Sequence, residues 1–283
     1  MNSHNSQIDF RTSVLEKGSF RFFEKGFEMT AQQIVVIKVG TDVLRDPFAF
    51  FEISQQVAKL KRSGYGVILV SSGGVAAGTD RVRQLSGSVG QYPKHLLAGI
   101  GARHLLNAWG NALALQQLDV MQEYLTYGNL RFLRERESIR SSLRRFAFDS
   151  HFVPLVNEND PVSAVEIAKM RKGLGDNDRL ARIIACLVDA THILFVTAKG
   201  GVYTRNPDKD PRAVPIKGIN AKKRHRLHRQ TSGPSQNGSG GMQSKVNQAS
   251  ICARKGMRAG IIGFKDIVSF VQGRSVGTLI SLA

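Results

Sequence analysis

Two lysines in this chain stand among residues suited to handling a phosphate group. Lys38 ends the apolar run Ile34-Val35-Val36-Ile37 and is followed by Val39-Gly40-Thr41, while Lys245 stands behind Gly240-Gly241-Met242 where a helical pattern begins. Glycine turns let backbone amides approach oxygen closely, and phosphoryl transfer depends mostly on positioning and charge neutralisation. Lysines from distant points in a chain can do both. Three other segments complete the set: Ser71-Ser72-Gly73-Gly74, Val156-Asn157-Glu158-Asn159-Asp160 and Gly175-Asp176-Asn177-Asp178. Each residue has a plain structural reading. A strand-end lysine is usually solvated, Asp160 and Asp178 suit turns and helix caps, and Lys245 simply opens a helix. Those readings treat each residue separately. They account less well for turns gathered at the carboxyl ends of strands, where open α/β sheets bind ligands.

The elements that must carry these residues follow from periodicity. Apolar strands are expected at 34–39, 67–70, 152–156 and 192–197, with short ones near 259–263 and 277–281. Helices are expected over about 48–63, with Phe51, Val57 and Leu60 on the apolar side, then near 74–85, over 93–116, 130–147 and 176–189, and over about 242–256. Strand and helix signals alternate, which gives an α/β fold with a largely parallel sheet. Asp176, Asn177 and Asp178 then fall on the first turn of a helix, among exposed amides at the positive end of its dipole. Residues 203–217 read as a Pro- and charge-rich excursion, and 232–241 as a Gly/Ser loop.

Composition narrows the class. The chain has 283 residues, 42% of them apolar, enough for a buried core in one large domain or two lobes. No apolar run reaches the roughly 18 residues of a membrane span. The first 28 residues lack the apolar core of a secretory signal, so the expected location is cytoplasmic and the segment reads as a tail or an upstream start. The two cysteines, Cys186 and Cys252, lack metal-ligand spacing and read as small core residues of a reducing compartment. The net charge of +18 attracts polyanions in general. The densest basic cluster, Lys222 to Arg229, has no interleaved aromatic to stack on bases, so specific nucleic-acid recognition is not expected. Gly-Lys occurs nowhere, which excludes a Walker A loop, and no G-x-G-x-x-G follows a strand.

Taken in order, these motifs resemble those of the amino acid kinase superfamily and, within it, the glutamate 5-kinases. The resemblance rests on Val36 to Leu44, Val70 to Gly78, Asn157 to Asp160, Gly175 to Asp178, Gly240 to Lys245 and Ser275 to Leu279. It implies a three-layer αβα sandwich around a mainly parallel central sheet. Residues 1–29 would be an N-terminal extension and 30–283 the kinase domain, with 30–190 binding the amino acid and 191–283 the nucleotide. The implied reaction is ATP- and Mg2+-dependent phosphorylation of the γ-carboxylate of L-glutamate, which begins proline biosynthesis. Lys38 and Lys245 would hold the transferring group, with Asp178 orienting them. Ser72, Asp160, Asp176 and Asn177 would bind glutamate. Gly40, Thr41, Gly73, Gly74, Thr197, Ala198, Gly240, Gly241 and Met242 would surround nucleotide or phosphate, and no side chain is assigned to the metal. Proline as a feedback inhibitor and a dimer or tetramer through helices near 93–147 are also implied.

Some positions depart from the pattern. Ala198 and Lys199 follow Thr197 where the family carries an aspartate, and Thr126-Tyr127-Gly128-Asn129 lacks the charged residues that glutamate kinases commonly carry there. Many bacterial relatives continue into a small PUA domain, and the expected form lacks it. Two alternatives therefore stay open: a non-catalytic regulatory homologue that binds glutamate, proline or nucleotide, and a superfamily kinase for another small acid or phosphate.

Overall fold

Four apolar runs of the sequence become neighbouring parallel strands at the centre of one sheet. The computed structural model describes residues 32–90, 92–162, 177–222 and 241–282. By its contacts the chain divides into residues 1–31 and 32–283, and the elements below belong to the second unit. In chain order they are β1 (Ile34–Val39), α1 (Ala49–Arg62), β2 (Gly66–Ser71), α2 (Gly74–Ser86), α3 (Lys94–Ala114), β3 (Asp119–Leu125), α4 (Leu133–Ala147) and β4 (Phe152–Glu158). Then follow α5 (Asn177–Leu187), β5 (His192–Val196), β6 (Val202–Tyr203), β7 (Pro215–Ile216), β8 (Gly218–Asn220), α6 (Met242–Ala253), β9 (Arg258–Ile262), α7 (Ile267–Val271) and β10 (Thr278–Ser281).

The eight-stranded sheet runs β3-β4-β2-β1-β5-β9-β10-β8, and among its pairs only β9 with β10 is antiparallel. Strands buried on both faces alternate between two cores. Ile34, Val36, Ile68, Val70, Ile193 and Phe195 face α4, α5 and α6, where Leu143, Ile184 and Ala249 meet them. Val35, Ile37, Val67, Leu69 and Leu194 face the other way, toward Ile53 of α1, Trp109 of α3 and Phe270 of α7. The result is the expected three-layer sandwich. The same alternation aims Lys38 at the layer of α5 and α6, since it continues the series Ile34, Val36.

Helix α1 carries Glu52 in its first turn and Lys59, Lys61 and Arg62 in its last, which complements its dipole. Gly64, at φ +84°, follows its end in the left-handed region that glycine adopts readily. Phe51 is a correction: it is 37% exposed, and the buried stripe is Ile53, Val57, Leu60. That spacing of four and three is one helical face, and Phe51 lies off it. Helices α2 and α3 cross at glycines. A Cβ on Gly78 would lie 1.8 Å from the Leu97 carbonyl oxygen, and one on Gly101 would lie 1.9 Å from that of Gly74. Only bare backbone permits that approach.

Candidate functional site

Loops after β1, β2, β4 and β5 all emerge at the carboxyl edge of the sheet. The chain steps from β1 to β2 in one direction and returns to place β5 on the other side of β1, so a crevice opens beside β1. Lys38, one residue from the end of β1, pairs in register with Val70 and Phe195 on its two neighbours.

Asp178 links the two lysines. Its Oδ1 lies 2.7 Å from Lys38 Nζ and its Oδ2 lies 3.3 Å from Lys245 Nζ. The carboxylate is fully buried, and the side chains of Lys38 and Lys245 are only 6% and 12% exposed. Two ammonium groups thus converge on one carboxylate. An isolated charge so buried is strongly unfavourable, so the group persists through mutual pairing. Residues separated by most of the chain thus meet at the ends of β1, α5 and α6.

Next to Asp178, Asn177 donates from Nδ2 to Ser72 Oγ at 3.1 Å. Its Oδ1 is buried and accepts no hydrogen bond among the described residues. Asn177 and Ser72 form part of the wall of a cavity of about 220 Å3, with Tyr124, Asn157, Glu158 and Asp160 among its other lining residues. Burial raises the Asp160 carboxyl above its ordinary range, and the nearby His95 opposes this. Carboxylates beside an open amide acceptor suit a ligand that bears an ammonium group.

The glycine turns take two forms. Gly73 precedes α2 at φ +108°, a conformation that disfavours a side chain for backbone reasons alone. Gly40 differs. A Cβ there would meet the Val196 carbonyl oxygen at 3.5 Å and Lys38 Nζ at 4.0 Å, both ordinary contacts. The protein does not itself require glycine at 40, and the space kept open lies beside the lysine head group. Gly74 lines the cavity, and Thr41 follows in the turn after β1.

On the β5 side, Thr197 donates its amide to the Ile262 carbonyl at 2.8 Å and is buried, whereas Ala198 and Lys199 are exposed. Lys199 is paired with Asp208 in the excursion, and Tyr203 donates its hydroxyl to the Lys199 carbonyl at 3.0 Å. Gly241 caps α6 in an extended conformation, and Met242 begins it. Asp176 and Gly240 lie outside the described residues, as does the basic run from Lys223 onward.

Several residues at the site were given no role by sequence reasoning, although Ser71 and Glu158 lie within its motifs. Ser71 turns to the opposite face from Ser72, accepts the Trp109 indole N–H at 2.9 Å and donates to the Ser72 carbonyl at 3.1 Å, which fixes the turn. Tyr124 pairs in register with Asn157, at the same edge of the sheet, and Glu158 ends β4. For Tyr124 the signal was position, because it stands near a strand end level with the motifs. The Thr126–Asn129 segment closes on itself: Asn129 Oδ1 accepts from the Thr126 amide at 2.9 Å and from its hydroxyl at 3.0 Å. Among the described residues no group of three or more His, Cys, Asp or Glu is placed to hold a metal ion.

The fold is shared with solved structures. Carbamate kinase from Giardia lamblia bound to AMP-PNP superposes with a TM-score of 0.60 at 16% identity, covering 90% of this chain and all of that one (100%). UMP kinase from Bacillus anthracis gives 0.57 at 15% identity, over 88% of this chain and 96% of that one. In sequence, the chain is 32% identical to glutamate 5-kinase of Salmonella arizonae over 271 residues, which cover 88% of this chain and 69% of the relative. It is 34% identical to the Vibrio vulnificus glutamate 5-kinase over 235 residues, which cover 79% of this chain and 59% of that protein. The model of the amino acid kinase family matches residues 33–263, a span that holds the lysines, Asp178 and the cavity together. The chain therefore belongs to the amino acid kinase family, in its glutamate 5-kinase branch.

Proposed function

We propose that this chain transfers the γ-phosphoryl group of ATP to the γ-carboxylate of L-glutamate, yielding glutamyl 5-phosphate and ADP. The observation that carries the reading is the Lys38–Asp178–Lys245 cluster one residue from a cavity lined by Asn177, Ser72 and Asp160. Relatives named glutamate 5-kinase at 32–34% identity support the same acceptor.

ATP supplies the phosphoryl group, and Mg2+, when bound with it, offsets phosphate charge. The residues present fit such a phosphate group: two buried ammonium groups converge at one point, and Gly40 leaves room beside Lys38. Lys38 and Lys245 hold the transferring oxygens from two sides, and Asp178 fixes both ammonium groups in place. Preorganised charge of this kind stabilises a transition state without reorganisation. Asp160 and the Asn177 acceptor receive the substrate ammonium group, and Ser72, held by Asn177, faces its carboxylate. We assign Asp176 to the same pocket, and Thr197, Ala198, Gly240, Gly241 and Met242 to the nucleotide side. In this reading residues 30–190 form the amino-acid lobe and 191–283 the nucleotide lobe. Proline competes at the glutamate cavity, the chain assembles with itself through the region 93–147, and it works in the cytoplasm. Among the described residues no helix is long and apolar enough to cross a membrane.

A second reading draws on Ala198. Its methyl group offers no charge where the family pattern has a carboxylate, and a homologue that binds glutamate without turnover is consistent with that loss. ADP release separates the two. With ATP and Mg2+ present, glutamate should stimulate release while aspartate, N-acetylglutamate and UMP do not, and proline should suppress it. Folded protein that is silent with glutamate but binds it by calorimetry establishes the second reading. Turnover unchanged across a proline titration removes the feedback role, and a monomeric mass in solution removes self-assembly.

A further inference from the structure

The ends of α5 and α6 far from the site hold a second pairing that the kinase chemistry does not use. Asp178 lies in the first turn of α5 and Lys245 in the first turn of α6, and these ends touch at 3.3 Å. About two turns further along each helix stand Cys186 and Cys252, a spacing that returns a side chain close to the same face. Cys252 belongs to the buried core cluster and Cys186 packs against it, and the cross-helix contacts at Asp178–Lys245 and, four residues before the cysteines, Arg182–Gln248 show the two helices running side by side in the same direction. Arg182 Nε bridges to Gln248 Oε1 at 2.7 Å. We propose that Cys186 and Cys252 are a reversible dithiol, oxidised by hydroperoxides, that covalently staples α5 to α6.

The order of attack is built into the surroundings. Cys186 is half-buried, whereas Cys252 is fully buried. The Cys252 thiol and the charges of Lys255 and Arg182 favour the Cys186 thiolate, against burial and Asp189, and bring its pKa down to about 6. Cys252 is pushed up by Cys186 and by burial, so it stays a thiol. The Cys186 thiolate attacks the peroxide O–O bond, which takes two electrons from sulfur, leaving Cys186 as a sulfenic acid and releasing an alkoxide that is protonated to the alcohol. Cys252 sulfur then displaces the hydroxyl: the S–S bond forms, the S–O bond breaks, and water departs with the Cys252 proton. Under the lobe assignment proposed above, α5 and α6 belong to different lobes, so the staple joins them; the thiol chemistry stands without that assignment.

Intact mass and thiol titration of the folded chain, before and after limiting hydrogen peroxide, test this. The chain has two cysteines in all, so the titre should fall from two to none with loss of two hydrogens and no new dimer on a non-reducing gel. The thermal midpoint should rise by roughly 5 °C, because the bridge closes a long loop, and should return with dithiothreitol. Cys252→Ser should instead leave a Cys186 sulfenic acid that dimedone traps. Oxygen addition at Cys186 with Cys252 still titratable in the parent protein, a disulfide-linked dimer, or thiols that react only in denaturant would each overturn the proposal. None of these readouts uses kinase turnover, so a failed staple and a failed kinase reading are told apart.

Discussion

Lys38 and Lys245 contact the same carboxylate yet should not respond alike to removal. Lys38 makes the shorter contact, 2.7 Å, and is the more buried. Lys245→Ala should lower kcat about 10²- to 10³-fold, as for loss of one transition-state donor. Asp178 keeps Lys38 in that variant, so the thermal midpoint should move little. Lys38→Ala should lose comparable activity and also cost on the order of 3–5 kcal/mol, because a buried pair is broken at its closer member. Denaturant melts of both variants beside their turnover check this, and an equal stability loss for the two would contradict it. Gly40→Ala should leave stability within about 0.5 kcal/mol while raising KM for ATP, since only a ligand competes for that space. The third residue-scale case lies at the opposite end of β5. His192 is buried, meets Tyr65 edge-on and pairs in register with Arg258, and burial followed by the Arg258 charge lowers its pKa from 6.5 to about 4. The unfolded chain therefore takes up this proton first as pH falls. Stability from this site is complete above pH 6.5, declines toward pH 4 and is level below; the loss is at most about 3 kcal/mol. His192→Gln should flatten that part of the melting-temperature profile.

At the scale of elements, the crossing of α2 and α3 holds the site most tightly to the fold. Helix α2 starts from the Gly73 turn, so any separation of the helices moves that turn. Gly78→Ala should destabilise by about 1–3 kcal/mol or more and also weaken glutamate binding. Calorimetric melting and substrate titration measure the two effects separately. Neither this crossing nor the pairing of α5 with α6 was legible in the sequence, because each joins segments whose approach only the folded chain defines. The central strands were legible, because burial on both faces demands unbroken apolar runs. Strand β3 was not marked out with them: it lies at the sheet edge, partly exposed, and carries Asp119, Gln122 and Glu123. The short β6, β7, β8 and α7 lack the length for a periodic signal. The site motifs were readable because their glycines and acids interrupt apolar runs, whereas Tyr124 and Trp109 became site residues only through register and packing.

Over the whole molecule the dominant quantity is the net charge of +18. In the described part, α4 contributes Arg134, Arg136 and Arg145, which are exposed, while Arg140 and Arg144 pair with Asp189. Such a field draws polyanions without reading them. Fluorescence anisotropy should find similar affinity for unrelated single-stranded sequences, with binding falling steeply between about 50 and 200 mM salt. Marked preference for one sequence would contradict this. The chain also contains a single tryptophan, Trp109, sealed from solvent, and its indole N–H reaches Ser71 beside the cavity wall. Its emission therefore comes from one place in the fold, hydrogen-bonded to Ser71, whose chain neighbour Ser72 lines the cavity. Without any label, a fluorimeter should follow occupancy of the site as a change in the wavelength and intensity of that one fluorophore.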